Sequence, residues 1–208
     1  MLALVSPPAG ATVVAWRATG VVGNLQGNTS LLPLPGAPGD EFVLEFSYDD
    51  AGVDSEASAN LGRYPILSLV VRVAAQSLTI VDETIGEGSI HIQANSVSSN
   101  VWSVSGCNPC GATEDEARFS LFMPEGAILS DVLTPPPDPA GASAVQFLLR
   151  STAPGDEAFL VGSLESLQPV PEPGASPGAL AVLTALAWLR RVRGARPPAR
   201  RRIGSHPA

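Results

Sequence analysis

The sequence predicts an all-β fold, an antiparallel two-sheet β-sandwich of jelly-roll-like or immunoglobulin-like type, with a single C-terminal transmembrane helix appended. Three observations carry this. Apolar residues recur with period two in short runs between Ala11 and Gln168, glycines and prolines fall between the runs, and a short uncharged apolar stretch near the end meets a cluster of arginines. Period two marks strands because successive side chains leave opposite faces of a pleated chain. Many short strands separated by turn residues argue for two packed antiparallel sheets.

The first strand is Val13–Val22. In the next, Phe42, Leu44, Phe46 and Tyr48 share one face, opposed by Val43, Glu45 and Ser47. Leu67, Leu69, Val71 and Val73 repeat the pattern against Ser68, Val70 and Arg72. Leu78–Val81 follows, then Ile90 and Ile92 alternating with His91 and Gln93, then Val101–Val104. Phe119, Leu121 and Met123 alternate with Arg118, Ser120 and Phe122; Val145, Phe147 and Leu149 alternate with Gln146, Leu148 and Arg150. Phe159 and Val161 begin a last strand running toward Leu164 and Leu167. The proline-rich stretch Leu133–Gly141 reads as a loop, and no segment before Ala175 shows a helical 3.6 period.

Ala-Pro-Gly-Asp-Glu occurs at 37–41 and again at 153–157, each time just ahead of a strand. Shared turn chemistry accounts for the repeat more simply than duplication: Pro presets φ, Gly permits the reversal, and Asp caps the turn.

Charge divides the chain sharply. Residues 1–189 hold five arginines against all 20 acids, a net of −15, whereas seven arginines and no acid follow Leu189. So acidic a body repels phosphate backbones, which excludes nucleic acid as a partner of the folded part. The uncharged stretch from Ala175 to Leu189, if helical, spans about 22 Å, short of the roughly 30 Å hydrocarbon core. Arginines can snorkel and Trp188 suits the interface, so a marginal span is expected, its apolar core at 179–189. Positive charge retained on the inner side places Arg190, Arg191 and Arg193 as topology-setting residues and makes 190–208 a cytoplasmic tail.

Pro171, Glu172 and Pro173, the apolar run and the terminal arginines, in that order, resemble the PEP-CTERM sorting signal of Gram-negative bacteria. Such proteins are handled by exosortase, a membrane-embedded transpeptidase-like enzyme. The resemblance implies that Pro171, Glu172 and Pro173 form the recognition motif, in a linker over 169–178, and that the inner membrane holds the chain transiently until the tail is removed. Two prolines keep Glu172 extended and out of any helix or central strand. The body is also similar, less specifically, to secreted domains attached to this signal, through Thr19-Gly20-Val21, Gly39-Asp40-Glu41-Phe42 and Phe46-Ser47-Tyr48-Asp49; these imply no known chemistry. At the other end, Met1–Val5 is apolar but too short for a signal peptide, while Ala9-Gly10-Ala11 suits a signal peptidase. Residues 1–11 are therefore expected to be the remnant of a longer signal peptide, with 12–168 as the sandwich domain.

Cys107 and Cys110 are the only cysteines. In an exported chain they are expected to form a disulfide closing a tight loop. Zinc needs four ligands, which one pair and His91 do not supply, and a thioredoxin-like pair wants a βαβ setting that is missing. Asp49, Asp50, Asp54 and Glu56 crowd one loop without the spacing of a calcium-binding template, so a solvated acidic loop is the reading. No catalytic residue, metal or cofactor is singled out: His91 has no nucleophile elbow, and there is no phosphate loop or dinucleotide fingerprint. The sequence reading is thus an exported, non-enzymatic protein of the cell envelope or exopolysaccharide matrix, structural or adhesive, with exosortase and extracellular polysaccharide as partners. A secreted carbohydrate-binding or carbohydrate-active module and a permanently anchored periplasmic protein are the alternatives.

Overall fold

Alternating runs become strands in the computed structural model, which describes residues 12–56, 58–94, 100–111 and 113–171. The strands are β1 (Val13–Gly27), β2 (Glu41–Asp49), β3 (Leu61–Val73), β4 (Gln76–Val81), β5 (Glu87–Gln93), β6 (Asn100–Cys107), β7 (Asp115–Met123), β8 (Ala144–Ala153) and β9 (Asp156–Pro169), with single 3₁₀ turns at Thr29–Leu31 and Pro139–Gly141.

Every pairing is antiparallel, and the hydrogen-bonded ring runs β1–β2–β3–β5–β6–β7–β8–β9 and back to β1. The expected two-sheet sandwich is therefore corrected to a closed eight-stranded barrel, with β4 as an extra strand. Strand length is the physical reason. β1, β3 and β9 hold 15, 13 and 14 residues, long enough to serve both would-be sheets. β3 gives one edge to β2 over Ile66–Val73; its other edge goes to β5 over Leu61–Pro65 and to β4 over Leu69–Val73. β1 pairs with β2 on one edge and β9 on the other, so no gap separates two layers. Register shifts at Thr19/Gly20 and Val22/Asn24 on β1, and at Ser47/Tyr48 on β2, supply the local bends that closure requires.

The last of these shifts also overturns the predicted inward position of Leu67. Ser47 pairs with Ser68 but Tyr48 pairs with Ile66, so Leu67 is the extra residue of a bulge. Tyr64 and Ile66 face inward before it, Leu69, Val71 and Val73 after it, and Leu67 itself is 42% exposed. One inserted residue thus exchanges the faces of the strand.

Inside, Phe42 stacks on Phe147 with centroids 4.1 Å apart, and Phe46 lies 5.9 Å from Trp102. Loops close both ends. Between β1 and β2, Leu32 and Leu34 are buried and Gly36 abuts Val73 and Leu160. Between β7 and β8, Ile128 is buried, Tyr64 donates its hydroxyl to the Asp131 carbonyl at 2.9 Å, and Trp102 donates Nε1–H to the Thr134 carbonyl at 3.3 Å. Two large aromatic residues of the core thereby find acceptors for their polar tips in the loop between β7 and β8.

Both Ala-Pro-Gly-Asp-Glu segments make the same reversal. Gly39 and Gly155 have φ of 92° and 82°, the left-handed region that a following glycine supplies after a proline. Asp40 accepts from the Ala37 amide at 2.8 Å, and Asp156 pairs with Ala153 across the β8–β9 hairpin.

Among the described residues no helix is long and apolar enough to cross a membrane. The predicted transmembrane helix is therefore no part of the described fold, which is all-β. The run at 179–189 lies outside the described residues, as do Glu172, Pro173, Arg190, Arg191 and Arg193 and the predicted leader at 1–11.

Gly20 and Gly162 make room for the Phe42 ring where β1 and β9 meet. A Cβ on Gly162 would come within 2.6 Å of Phe42, and one on Gly20 would strike the Ser163 carbonyl as well. Gly20→Ala is expected to lower stability by about 3 kcal/mol in urea unfolding. Phe42→Leu should recover part of a Gly162→Ala loss but little of the Gly20→Ala loss, because the second collision is with backbone.

Candidate functional site

Solvent-facing positions on neighbouring strands line up into a charged surface. Register sets Arg63 of β3 opposite His91 of β5, Ser89 opposite Ser105, Ser105 opposite Arg118, and Glu116 opposite Arg150. These side chains floor a groove of about 920 Å³ on the outer wall. The Val53–Ser55 segment bounds it on one side and the β6–β7 hairpin, with Cys107 and Glu114, on another.

Three of the four acids that line the groove are already engaged, while the fourth, Glu87, is exposed. Glu116, its side chain only 12% exposed, pairs with Arg118 at 2.6 Å and with Arg150 at 3.5 Å. Glu114 lies 3.4 Å from Arg150 and accepts from the Gly111 amide at 3.2 Å. Asp54 accepts from the Arg63 amide at 2.8 Å and the Glu56 amide at 2.9 Å, and these bonds hold its carboxyl below the usual carboxylate range. The first also stitches the rim to β3, as does the Ser55 amide donating to the Arg63 carbonyl at 2.9 Å.

Arg63 is different. Among the described residues Arg17, Arg72, Arg118 and Arg150 each lie within ion-pair distance of a carboxylate, and Arg63 does not. Its Nε–H reaches only the Ser89 hydroxyl, at 3.5 Å, a weak contact. Ser89 Oγ in turn lies 2.8 Å from His91 Nε2. Burial, then repulsion from Arg63 and Arg118, pushes the His91 pKa below its ordinary value, against an opposing pull from Glu56. The imidazole is therefore neutral at pH 7.

A serine on a neutral imidazole has the first two members of a hydrolytic triad. Acyl transfer also needs donors aimed at a developing oxyanion. The main chain of β5 is committed to ladders with β3 on one edge and β6 on the other.

Cys107 and Cys110 form a disulfide, S–S 2.04 Å and Cα–Cα 5.1 Å, in the β6–β7 hairpin at the rim. Pro171, exposed just beyond β9, is the last described residue; Glu172, Pro173, Arg190, Arg191 and Arg193 lie outside the described residues. In the acidic loop, Asp49 accepts from the Ala51 amide at 2.8 Å and Asp50 from the Thr12 amide at 2.9 Å, apart from the bonds of Asp54. Those three carboxylates fasten turns, and among the described residues no three His, Cys, Asp or Glu side chains gather as for a metal ion. Sequence reasoning missed the groove. Arg118, Arg150 and His91 were recognisably outward, but their juxtaposition depends on register, and Arg63 lies ahead of the run that signalled β3.

No family model, curated protein or solved structure matches this chain. The fold and these comparisons give no support to the reading of the tail as a sorting signal joined to a membrane span, and the β-sandwich description is replaced by the barrel.

Two outcomes follow from this geometry. Because the folded His91 pKa is depressed, the folded state binds fewer protons than the unfolded chain, and stability falls as pH drops below about 6.5 toward that lowered value. Melting temperatures between pH 7.5 and 5 should therefore decline less steeply for His91→Gln than for the parent. Arg150→Gln leaves the nearly buried Glu116 with Arg118 alone and is expected to cost about 1–2 kcal/mol in urea unfolding at pH 7.

Proposed function

We propose that this chain is an exported, non-enzymatic β-barrel module of a Gram-negative cell surface or exopolysaccharide matrix, acting through the groove on its outer wall. The observation that carries the reading is the division of labour in the barrel. Its interior is filled by aromatic and aliphatic side chains and its two ends are closed by loops, so recognition falls to the outside. There Asp54, Glu114 and Glu116 are tied to arginines or amides, leaving a polar surface on which Glu87 and Arg63 are outside the ion pairs.

A carbohydrate-cleaving role is less well supported. Glycosidases rely on two carboxyls with separate protonation states. Here Glu114 and Glu116 share one guanidinium, that of Arg150. Delivery to the surface rests on the likeness of Pro171-Glu172-Pro173 and the arginine-rich end to an exosortase substrate, with exosortase as the processing partner.

Delivery is tested by producing the full chain, behind a functional export signal, in hosts with and without exosortase. Intact-mass measurement of the protein from the medium should give a chain lacking Arg190 and everything after it only where exosortase is present. Full-length protein in the cytosol of both hosts would remove the delivery part of the proposal.

A further inference from the structure

We infer that the outer-wall groove binds an acidic oligosaccharide, its carboxylate taken by Arg63 and its hydroxyls by Ser89, Ser105 and the rim. This deepens the reading above and rests on it. Three observations converge.

The first is the uncommitted guanidinium. In a body with five arginines and a large excess of acids, a guanidinium without a carboxylate is the exception. The main chain of Arg63 is also fixed, since its amide and carbonyl are bonded to Asp54 and Ser55. A planar guanidinium presents paired donors that match a carboxylate.

The second is the floor. Ser89 and Ser105 sit side by side on β5 and β6, and Arg118 follows on β7. Adjacent strands are spaced by about 4.8 Å, so this row extends about 10 Å, comparable with two sugar rings. Hydroxyl groups that both donate and accept suit a ligand that is itself rich in hydroxyls.

The third observation is what the lining omits. No Phe, Tyr or Trp lines the groove. Neutral glycans are held largely by stacking on aromatic faces, so charge and hydrogen bonds have to supply the recognition. A nucleic acid is disfavoured by the net −15 of residues 1–189, which acts on every phosphate outside the groove. An acidic peptide offers the carboxylate but not a row of hydroxyls.

The test is calorimetric titration of the purified full chain with a galacturonic acid tetramer, its carboxyl-reduced neutral counterpart, and tetraglutamate. The uronate is expected to bind and the other two to bind at least roughly tenfold more weakly. Arg63→Gln should weaken the uronate roughly tenfold, Arg63→Lys less, with unchanged melting temperatures showing intact folds. Arg72→Gln, which lies outside the groove, should leave binding unchanged. Equal binding of uronate and neutral tetramer would overturn the acidic-ligand inference while leaving a glycan-binding module in place. Tetraglutamate equal to the uronate would overturn the saccharide. Undiminished uronate binding by both Arg63 variants would place the ligand elsewhere. Binding of none of the three, with the parent fold intact, would remove the glycan reading altogether.

Discussion

Closure of the sheet is the constraint on which the remaining features depend. Free strand edges carry unpaired amides and carbonyls, and a barrel removes them by pairing its first strand with its last. Here the joint is β1 with β9, along Trp16–Gly27 against Ala158–Pro169. Such a joint must curve sharply, and the chain meets that need with two register shifts and with glycines facing Phe42. The ring of Phe42 occupies the space that Cβ atoms on Gly20 and Gly162 would claim, and it stacks on Phe147. Backbone curvature and core packing are thus the same event, seen from the two sides of the sheet.

Closure also decides where polar chemistry goes. Once Trp102, Phe119, Phe147 and their neighbours fill the interior, alternate residues of each strand must face out, and charge is partitioned by register. Glu45 is clamped between Arg17 and Arg72 at 2.6 and 3.0 Å, tying β1, β2 and β3 together on the outer wall. Arg150 plays the corresponding role for Glu114, Glu116 and Glu157 around β7, β8 and β9. Exposed pairs of this sort contribute little individually. Around the groove they offset Glu114 and Glu116, and repulsion from Arg63 and Arg118 is felt at His91.

Much of this was legible in the sequence, and the failures have identifiable causes. Phe42–Tyr48, Ile90–Gln93 and Arg118–Met123 show clean alternation because none of them carries the extra residue of a bulge; the shift at Ser47/Tyr48 places its extra residue on β3. Leu67 was misplaced because a bulge changes the parity of β3 without leaving a mark in composition. The same strand concealed the barrel: its first half, Leu61–Pro65, pairs with β5 and interrupts the alternation with Gly62 and Pro65. Two sheets and one closed sheet have the same local pattern, and they differ only in whether long strands such as β1 and β3 spend both edges. That is a long-range property, invisible to a window of ten residues. The groove failed to appear for a related reason, since Arg63, His91 and Arg118 are brought together by three separate ladders.

An acidic body with one uncommitted cation also constrains what can approach it. Beyond a Debye length, about 8 Å at physiological ionic strength, the net charge is screened, so a carboxylate outside that range feels little of the repulsion. Closer in, the pairs Glu116–Arg118 and Glu114–Arg150 present dipoles, while Arg63 presents a full charge. A densely charged polymer would meet repulsion at every contact beyond the groove, and only one of its anions would meet Arg63. A hydroxyl-rich acidic oligosaccharide short enough to stay within the groove incurs little of that repulsion and still gains the guanidinium contact. Selectivity between the two comes less from attraction within the groove than from the acidic surface that surrounds it.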